Sequence, residues 1–180
     1  MNPWLALNRA IIGWRMIVRG EPGWAGEFAR NPVGLAMALA IFALMAFLAV
    51  AIASTQIGMP GFFAAIAAML VLSIPVMALG LVLWATRRML PDQRPVLDVL
   101  VPGIYAATGF VAIEGILALI GGPLVVLAWL GLGYLLYRLG RVAGHWHGGI
   151  AAGFAVLTVG LLVAMRLALY MVSSIPALSA

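Results

Sequence analysis

The chain has 180 residues, of which 66% are apolar and 8% are charged, whereas soluble globular domains have roughly 45–50% and about 25%. This composition excludes a water-soluble globular domain, and it also excludes a disordered chain, which needs low hydrophobicity and high charge. The net charge of +5 comes from basic residues that are all arginine; because these arginines flank apolar blocks, we assign them to anionic lipid headgroups and exclude a nucleic-acid partner.

Residues 1–33 are predicted to form an amphipathic segment on the cytoplasmic surface of the membrane. Apolar residues recur at three- and four-residue spacing, as on one face of a helix, while Arg15 and Arg19 lie on another side. Such a helix is typical of the headgroup plane, although its apolar face would also suit packing against the bundle. No cleavage site follows, so we expect this segment to be retained. The tryptophans expected at the interface here are Trp4, Trp14 and Trp24.

Five apolar blocks follow, each near the length of about 20 residues that a bilayer core of roughly 30 Å requires. The predicted spans are residues 34–53, 62–84, 99–120, 121–139 and 150–172. Pro75 in the second span should kink its helix, because proline leaves one carbonyl without a donor. The fourth span is short, so a re-entrant hairpin over 99–137 remains an alternative. The sequence predicts an all-α polytopic bundle of five transmembrane helices, residues 34–180, after an N-terminal amphipathic interfacial helix.

The arginines outside the spans fall only in alternate loops, on one side of the predicted bundle. The positive-inside rule assigns this side to the cytoplasm, so the N-terminus is predicted in the cytoplasm and the C-terminus in the periplasm. An even number of spans would destroy this segregation. The arginine-rich, lysine-free composition favours a bacterial source and therefore the bacterial cytoplasmic membrane. The residues predicted to contact anionic headgroups are Arg9, Arg15, Arg19, Arg30, Arg87, Arg88, Arg94, Arg138 and Arg141.

Two ionisable side chains lie inside spans, Glu114 in the third and Arg166 in the fifth. Each costs about 2.5–3.5 kcal/mol near a helix centre unless it finds a partner or water. At 1.5 Å per residue, both lie about 6 to 7.5 Å beyond the midplane on the same side. We therefore predict that the two helices are neighbours and that the side chains form an ion pair. A static lock is the preferred role; the alternatives are a proton or ion pathway, and separate snorkelling of Arg166 beside a neutral Glu114.

Few other residues suggest chemistry. Trp146 is expected at headgroup level, and the histidines on either side of it are two residues apart and share no helix face, so no metal site is predicted. With no cysteine, and no hydroxyl residue beside a base, no nucleophile is visible. We predict no catalytic residue, no cofactor and no enzyme. The small residues predicted to pack helices within the chain, in preference to dimerisation, are Gly149, Gly153 and Gly160.

Two stretches of the chain carry a resemblance to a known family. The first precedes the first span and reads AIIGWRMIVRGEPGWAGEFARNP; the second joins the fourth and fifth spans and reads LAWLGLGYLLYRLGRVAGHWHGGIAAGFAVL. Together with five compact spans, they resemble the bacterial branch of the Ypt-interacting-protein (YIP) family. The long polar N-terminal domain of the eukaryotic members is absent from this sequence. The resemblance implies a five-span fold and no catalytic residues, and the family's role in vesicle traffic, which depends on Rab-type GTPases, is not carried over.

These observations favour a non-enzymatic scaffold, membrane-organising or partner-binding protein, whose partners are the anionic lipid bilayer and other membrane proteins. Two other classes remain open. One is an accessory or assembly subunit of a larger bioenergetic complex, which a cofactor-bearing companion would establish. The other is a small oligomeric transporter or channel that uses Glu114, for which flux in vesicles would be diagnostic.

Overall fold

Six helices make up the described part of the chain. The computed structural model describes residues 2–57, 61–90, 95–120 and 122–174, and within these ranges it contains no strand. Helices α2 to α6 are long and apolar enough to span a membrane, whereas α1 is shorter. The chain is therefore an integral membrane protein, and the predicted all-α fold with five transmembrane helices is confirmed. The helices are α1 (Pro3–Arg19), α2 (Pro32–Ile57), α3 (Phe62–Met89), α4 (Leu97–Ile120), α5 (Val125–Val142) and α6 (Gly148–Ser174).

The fourth span differs most from its predicted bounds. It was expected at 121–139, whereas α5 begins at Val125, after a 3-10 turn at Gly122–Leu124, and ends at Val142. Its 18 residues rise about 27 Å at 1.5 Å each. Because α4 is also continuous over 24 residues, the two segments are separate helices of span length and not the short arms of a re-entrant hairpin.

Capping residues make α1 a separate helix in front of the bundle. The side chain of Asn2 accepts a hydrogen bond from the backbone N–H of Trp4 at 3.0 Å, and Pro3 occupies the first helical position, where no N–H is needed. Gly20 ends the helix in a left-handed conformation with φ of 73°, which glycine adopts without a steric penalty. Its N–H donates to the carbonyl of Ile17 at 3.1 Å.

Four of the transmembrane helices form a ring. Helix α3 packs on α4, α4 on α5, α5 on α6, and α6 on α3, while α2 packs against α4 and α3 from outside the ring. Helix α1 packs on α2, α4 and α5. Helices α4 and α6, the predicted third and fifth spans, are not among these closely packed pairs, and they meet through the side chains of Glu114 and Arg166.

The most densely packed part of the core surrounds the first half of α4. Residues 101–108 are buried without interruption, because at this level α4 is enclosed by α1, α2, α3 and α5. A helix that is enclosed on every side buries every face and loses its amphipathic pattern. Toward the other end of α4, Ile113, Ile116 and Ile120 are exposed, and such an apolar outer surface is suited to contact with lipid.

Helix α1 docks on the bundle through a buried face of mostly small residues, beside which Trp14 is half-buried. Ala6, Ala10, Gly13 and Ile17 form its buried face, and a methyl group on Gly13 would collide with the ring of Phe28. The face predicted from the tryptophan spacing is divided between two environments. Its half-buried members pack against the core, whereas others are exposed. The half-buried members include Leu7 and Trp14, and the exposed ones Trp4 and Ile11.

Two prolines lie inside transmembrane helices. Pro75 is buried within α3, where its missing N–H leaves a carbonyl one turn earlier without its helical donor; the kink at this position stays a prediction. Pro102 lies in the second turn of α4, and its carbonyl accepts a hydrogen bond from Nε1 of Trp14 at 3.1 Å. This bond joins α1 to the most buried part of the bundle.

Candidate functional site

Glu114 and Arg166 form a two-point ion pair across the helix ring. Nη2 of Arg166 donates to Oε2 of Glu114 at 2.8 Å, and Nη1 donates to Oε1. The side chains are only 12% exposed for Glu114 and 20% for Arg166. Glu114 is six residues from the end of α4 and Arg166 five residues from Met171, where the apolar part of α6 ends. At 1.5 Å per residue these are depths of about 9 and 7.5 Å, so the two groups lie level.

Two aromatic side chains complete the cluster, and sequence analysis missed both. Nε1 of Trp129, on α5, donates to Oε1 of Glu114 at 3.1 Å. The guanidinium of Arg166 lies 5.4 Å from the ring centroid of Trp129 and 5.7 Å from that of Phe110, which are distances for cation–π attraction. The spacing in the sequence could have indicated both. Phe110 precedes Glu114 by one helical turn on α4, and Trp129 lies one turn after the start of α5, which begins near the end of α4.

The chemistry of this cluster favours a fixed contact. Oε1 of Glu114 accepts two hydrogen bonds and Oε2 accepts one, so the carboxylate is held by three donors from α5 and α6. Nε of Arg166 is buried without a hydrogen-bond partner, although the rings beside it attract its charge. Removing one partner of such a buried pair leaves an uncompensated charge at a cost of about 3–5 kcal/mol. The cluster therefore joins α4, α5 and α6 through hydrogen bonds whose partners cannot be removed singly without a large cost.

At the opposite end of the bundle, arginines and acids tie the N-terminal segment to the helices. Asp98, in the first turn of α4, pairs with Arg30 at 2.9 Å, and Arg30 also lies 5.7 Å from the ring centroid of Trp24. Arg9 donates to Glu27 at 3.3 Å and to a backbone carbonyl at 2.8 Å. The charges of Arg9 and Arg30 are therefore partly neutralised by acids. We call this end of the bundle, where α3 ends and α4 begins, the cationic end. The other predicted headgroup ligands there include Arg15, Arg19, Arg87 and Arg88.

Two further predicted headgroup arginines donate hydrogen bonds to backbone carbonyls within the protein. Nη2 of Arg138 donates to the carbonyl of Ile17 at 3.1 Å, and its Nε is buried. This guanidinium therefore caps the C-terminus of α1, where cations are favoured by the exposed carbonyls. Nη1 of Arg141 donates to the carbonyl of Trp146 at 3.2 Å. Arg94 lies outside the described residues.

The prediction of a headgroup-level Trp146 is wrong. Its side chain is 6% exposed, and its ring packs edge-on against Phe154 at 5.1 Å between centroids. Two glycines make this burial possible, because a Cβ on Gly140 or Gly144 would approach the indole to 3.0 or 2.8 Å. Trp146 thus belongs to the packing between α5 and α6 and not to the interface.

The glycines predicted to pack helices are not the ones that do so. A Cβ added to Gly149, Gly153 or Gly160 would meet nothing within 4 Å. Close approach occurs instead at Gly140, where a Cβ would be 3.1 Å from that of Ala151. The three α6 glycines therefore face outward from the described part of the molecule.

No family model, no curated protein and no solved structure matches this chain. The function is therefore inferred from the intramembrane cluster and from the cationic end.

Proposed function

We propose that this protein is a non-enzymatic scaffold of the bacterial cytoplasmic membrane, of the YIP-like type, which organises lipid or binds partner membrane proteins. The observation that carries the proposal is the bonding of Glu114, Arg166 and Trp129 to one another. A transporter or channel uses intramembrane ionisable groups that exchange partners with cargo or water. A scaffold instead needs helices held in one arrangement, and a carboxylate that already accepts three hydrogen bonds serves that purpose.

The outer surface of α1 supports contact with a membrane surface. While its small residues face the bundle, Trp4 and Ile11 are exposed, and Arg15 and Arg19 are exposed on the same outward side. A helix that presents both apolar and cationic side chains suits the boundary between headgroups and hydrocarbon. We propose that α1 lies at the cytoplasmic headgroup layer, with the N-terminus in the cytoplasm and the C-terminus in the periplasm.

Recovery of the protein from its own membrane tests the scaffold proposal. Extraction in mild detergent followed by native mass spectrometry should yield the chain with bound lipid, or with membrane-protein companions that carry no stoichiometric cofactor. A companion that bears cofactors at fixed stoichiometry would instead establish an accessory subunit. In reconstituted vesicles we expect no ion flux above that of protein-free vesicles; flux that Glu114→Gln abolishes and the control Glu27→Gln preserves would establish transport.

The absence of cysteine from the sequence makes the orientation directly testable. Arg15→Cys and Leu124→Cys place single thiols on exposed positions at the cationic end and at the opposite end of the bundle. A membrane-impermeant maleimide that reaches only the periplasm should label Leu124→Cys in intact cells and Arg15→Cys only after lysis. The reverse result would place the cationic end outside and contradict the proposed topology.

A further inference from the structure

A groove of about 230 Å³ lies between the end of α3 and the start of α4. Trp84, Arg87 and Arg88 line it at the cationic end, and Leu83 and Gly80 continue it along α3. From Arg88 to Gly80 the groove descends eight residues, or about 12 Å at 1.5 Å each. It therefore extends from headgroup level well into one leaflet, whose hydrocarbon is about 15 Å thick.

The two ends of the groove differ in chemistry. At the upper end, the guanidinium of Arg88 lies 4.5 Å from the ring centroid of Trp84, and this stacking holds a cation at the groove entrance. At the lower end the side chains are apolar, and a Cβ on Gly80 would meet nothing within 4 Å. None of the described residues that line the lower end is charged, so the groove matches a molecule with an anionic head and a hydrocarbon tail.

We propose that this groove binds one anionic phospholipid, with its phosphate at Arg88 and one acyl chain along Leu83 and Gly80. The inference rests on the proposed contact between the cationic end and lipid headgroups and deepens it, because it assigns a single site to one lipid. Charge complementarity selects the anionic head, and the vacant space beside Gly80 accepts the chain. A zwitterionic lipid would fit the same space, but its headgroup has no net negative charge to attract Arg88.

Titration with defined lipids under native mass spectrometry tests the site. The probes are dioleoyl phosphatidylglycerol and dioleoyl phosphatidylcholine, added to the delipidated full chain in detergent. Arg88→Gln should weaken binding of the first phosphatidylglycerol about fivefold, the effect expected for one arginine near an anionic headgroup. The matched control Arg9→Gln removes an arginine that lies outside the groove and is already paired with Glu27, and it should change that affinity by less than about twofold.

A second variant tests the hydrocarbon part of the groove. Gly80→Leu adds a side chain into open space, so the helix should fold unchanged. First-site affinity for both lipids should fall about fourfold for each methylene group that the new side chain displaces. Circular dichroism of each variant checks that the helical content is preserved.

Four results would overturn the site. Equal losses for Arg88→Gln and Arg9→Gln would mean that total charge, and not the groove, attracts lipid; the general headgroup contact would then survive. Unchanged lipid affinity in Gly80→Leu would show that the acyl chain does not bind in the groove. Competition by inorganic phosphate that depends on Arg88 would indicate a site for free anions. No preference of the unaltered protein for phosphatidylglycerol would overturn both the groove and the proposed headgroup contact.

Discussion

A double-mutant cycle on Glu114 and Arg166 measures the strength of the lock. In Glu114→Gln the amide oxygen still accepts from Trp129, but the guanidinium loses its counter-charge. Full loss of a buried partner costs about 3–5 kcal/mol, and a hydrogen bond to a charged group contributes about 1.5–3 kcal/mol. Because Arg166 lies about 7.5 Å from the end of its span and can snorkel toward water, we expect a cost below that of full loss and within the range for a hydrogen bond to a charged group. The predicted destabilisation is about 2 kcal/mol.

The companion change Arg166→Met leaves the carboxylate with only the indole donor, and we expect it to cost about 3 kcal/mol. The double variant should cost no more than this, so the coupling energy is about 2 kcal/mol. Unfolding in mixed micelles with sodium dodecyl sulfate, followed by far-UV circular dichroism, provides the measurement. The control cycle uses Arg9 and Glu27, whose side chains are 51% and 28% exposed and whose coupling should be below about 1 kcal/mol. If the two cycles gave equal coupling, the reasoning about the buried pair would be refuted.

Three further predictions concern packing around the cluster and at the cationic end. Trp129→Phe keeps a ring over the guanidinium but removes the indole donor to the buried carboxylate, and it should lower the free energy of unfolding by about 1–2 kcal/mol in the same assay. Gly144→Ala places a Cβ 2.8 Å from a carbonyl and from the Trp146 ring and should cost about 1–3 kcal/mol. Gly153→Ala, in open space inside α6, should cost nothing and gain up to about 1 kcal/mol from the helix propensity of alanine; equal effects would contradict the assigned packing. Arg138→Gln removes the guanidinium from the end of α1, so amide hydrogen exchange in α1 should accelerate while that in α6 is unchanged.

The fold class follows from the sequence because the solvent dictates it. Inside a bilayer each backbone N–H and C=O must be paired within the segment, so an apolar block of about 20 residues has little choice but a helix. Some helix ends carry side-chain signals that the predicted bounds did not use, as at Pro32, where α2 begins, and at Gly20, which ends α1. The bounds of α5 were not predictable, because hydropathy does not distinguish the 3-10 turn at 122–124 from the helix that follows, and Arg138 lies within the helix.

Contacts between helices were less predictable than the helices themselves. The depth of Glu114 and Arg166 in the bilayer was predictable, because each residue adds a fixed rise along the helix axis, and both residues were placed at the same level. Depth does not reveal which helices pack closely, and two long side chains can meet between helices that are not among the closely packed pairs. Glycine spacing misidentified the packing residues for a related reason. A small residue permits close approach, but only the tertiary arrangement decides that Gly140, and not Gly153, faces a neighbour.

The bond from Arg138 to the carbonyl of Ile17 joins residues 121 positions apart in the chain, which has a consequence for biogenesis. During synthesis α1 emerges from the ribosome long before α5, so the group that caps its last turn does not yet exist. Until the fourth span has entered the membrane, the N-terminal helix can contact α2 and α4 but lacks the cap on its last turn. Its final docking is therefore a late event in maturation, after most of the polypeptide has already entered the membrane.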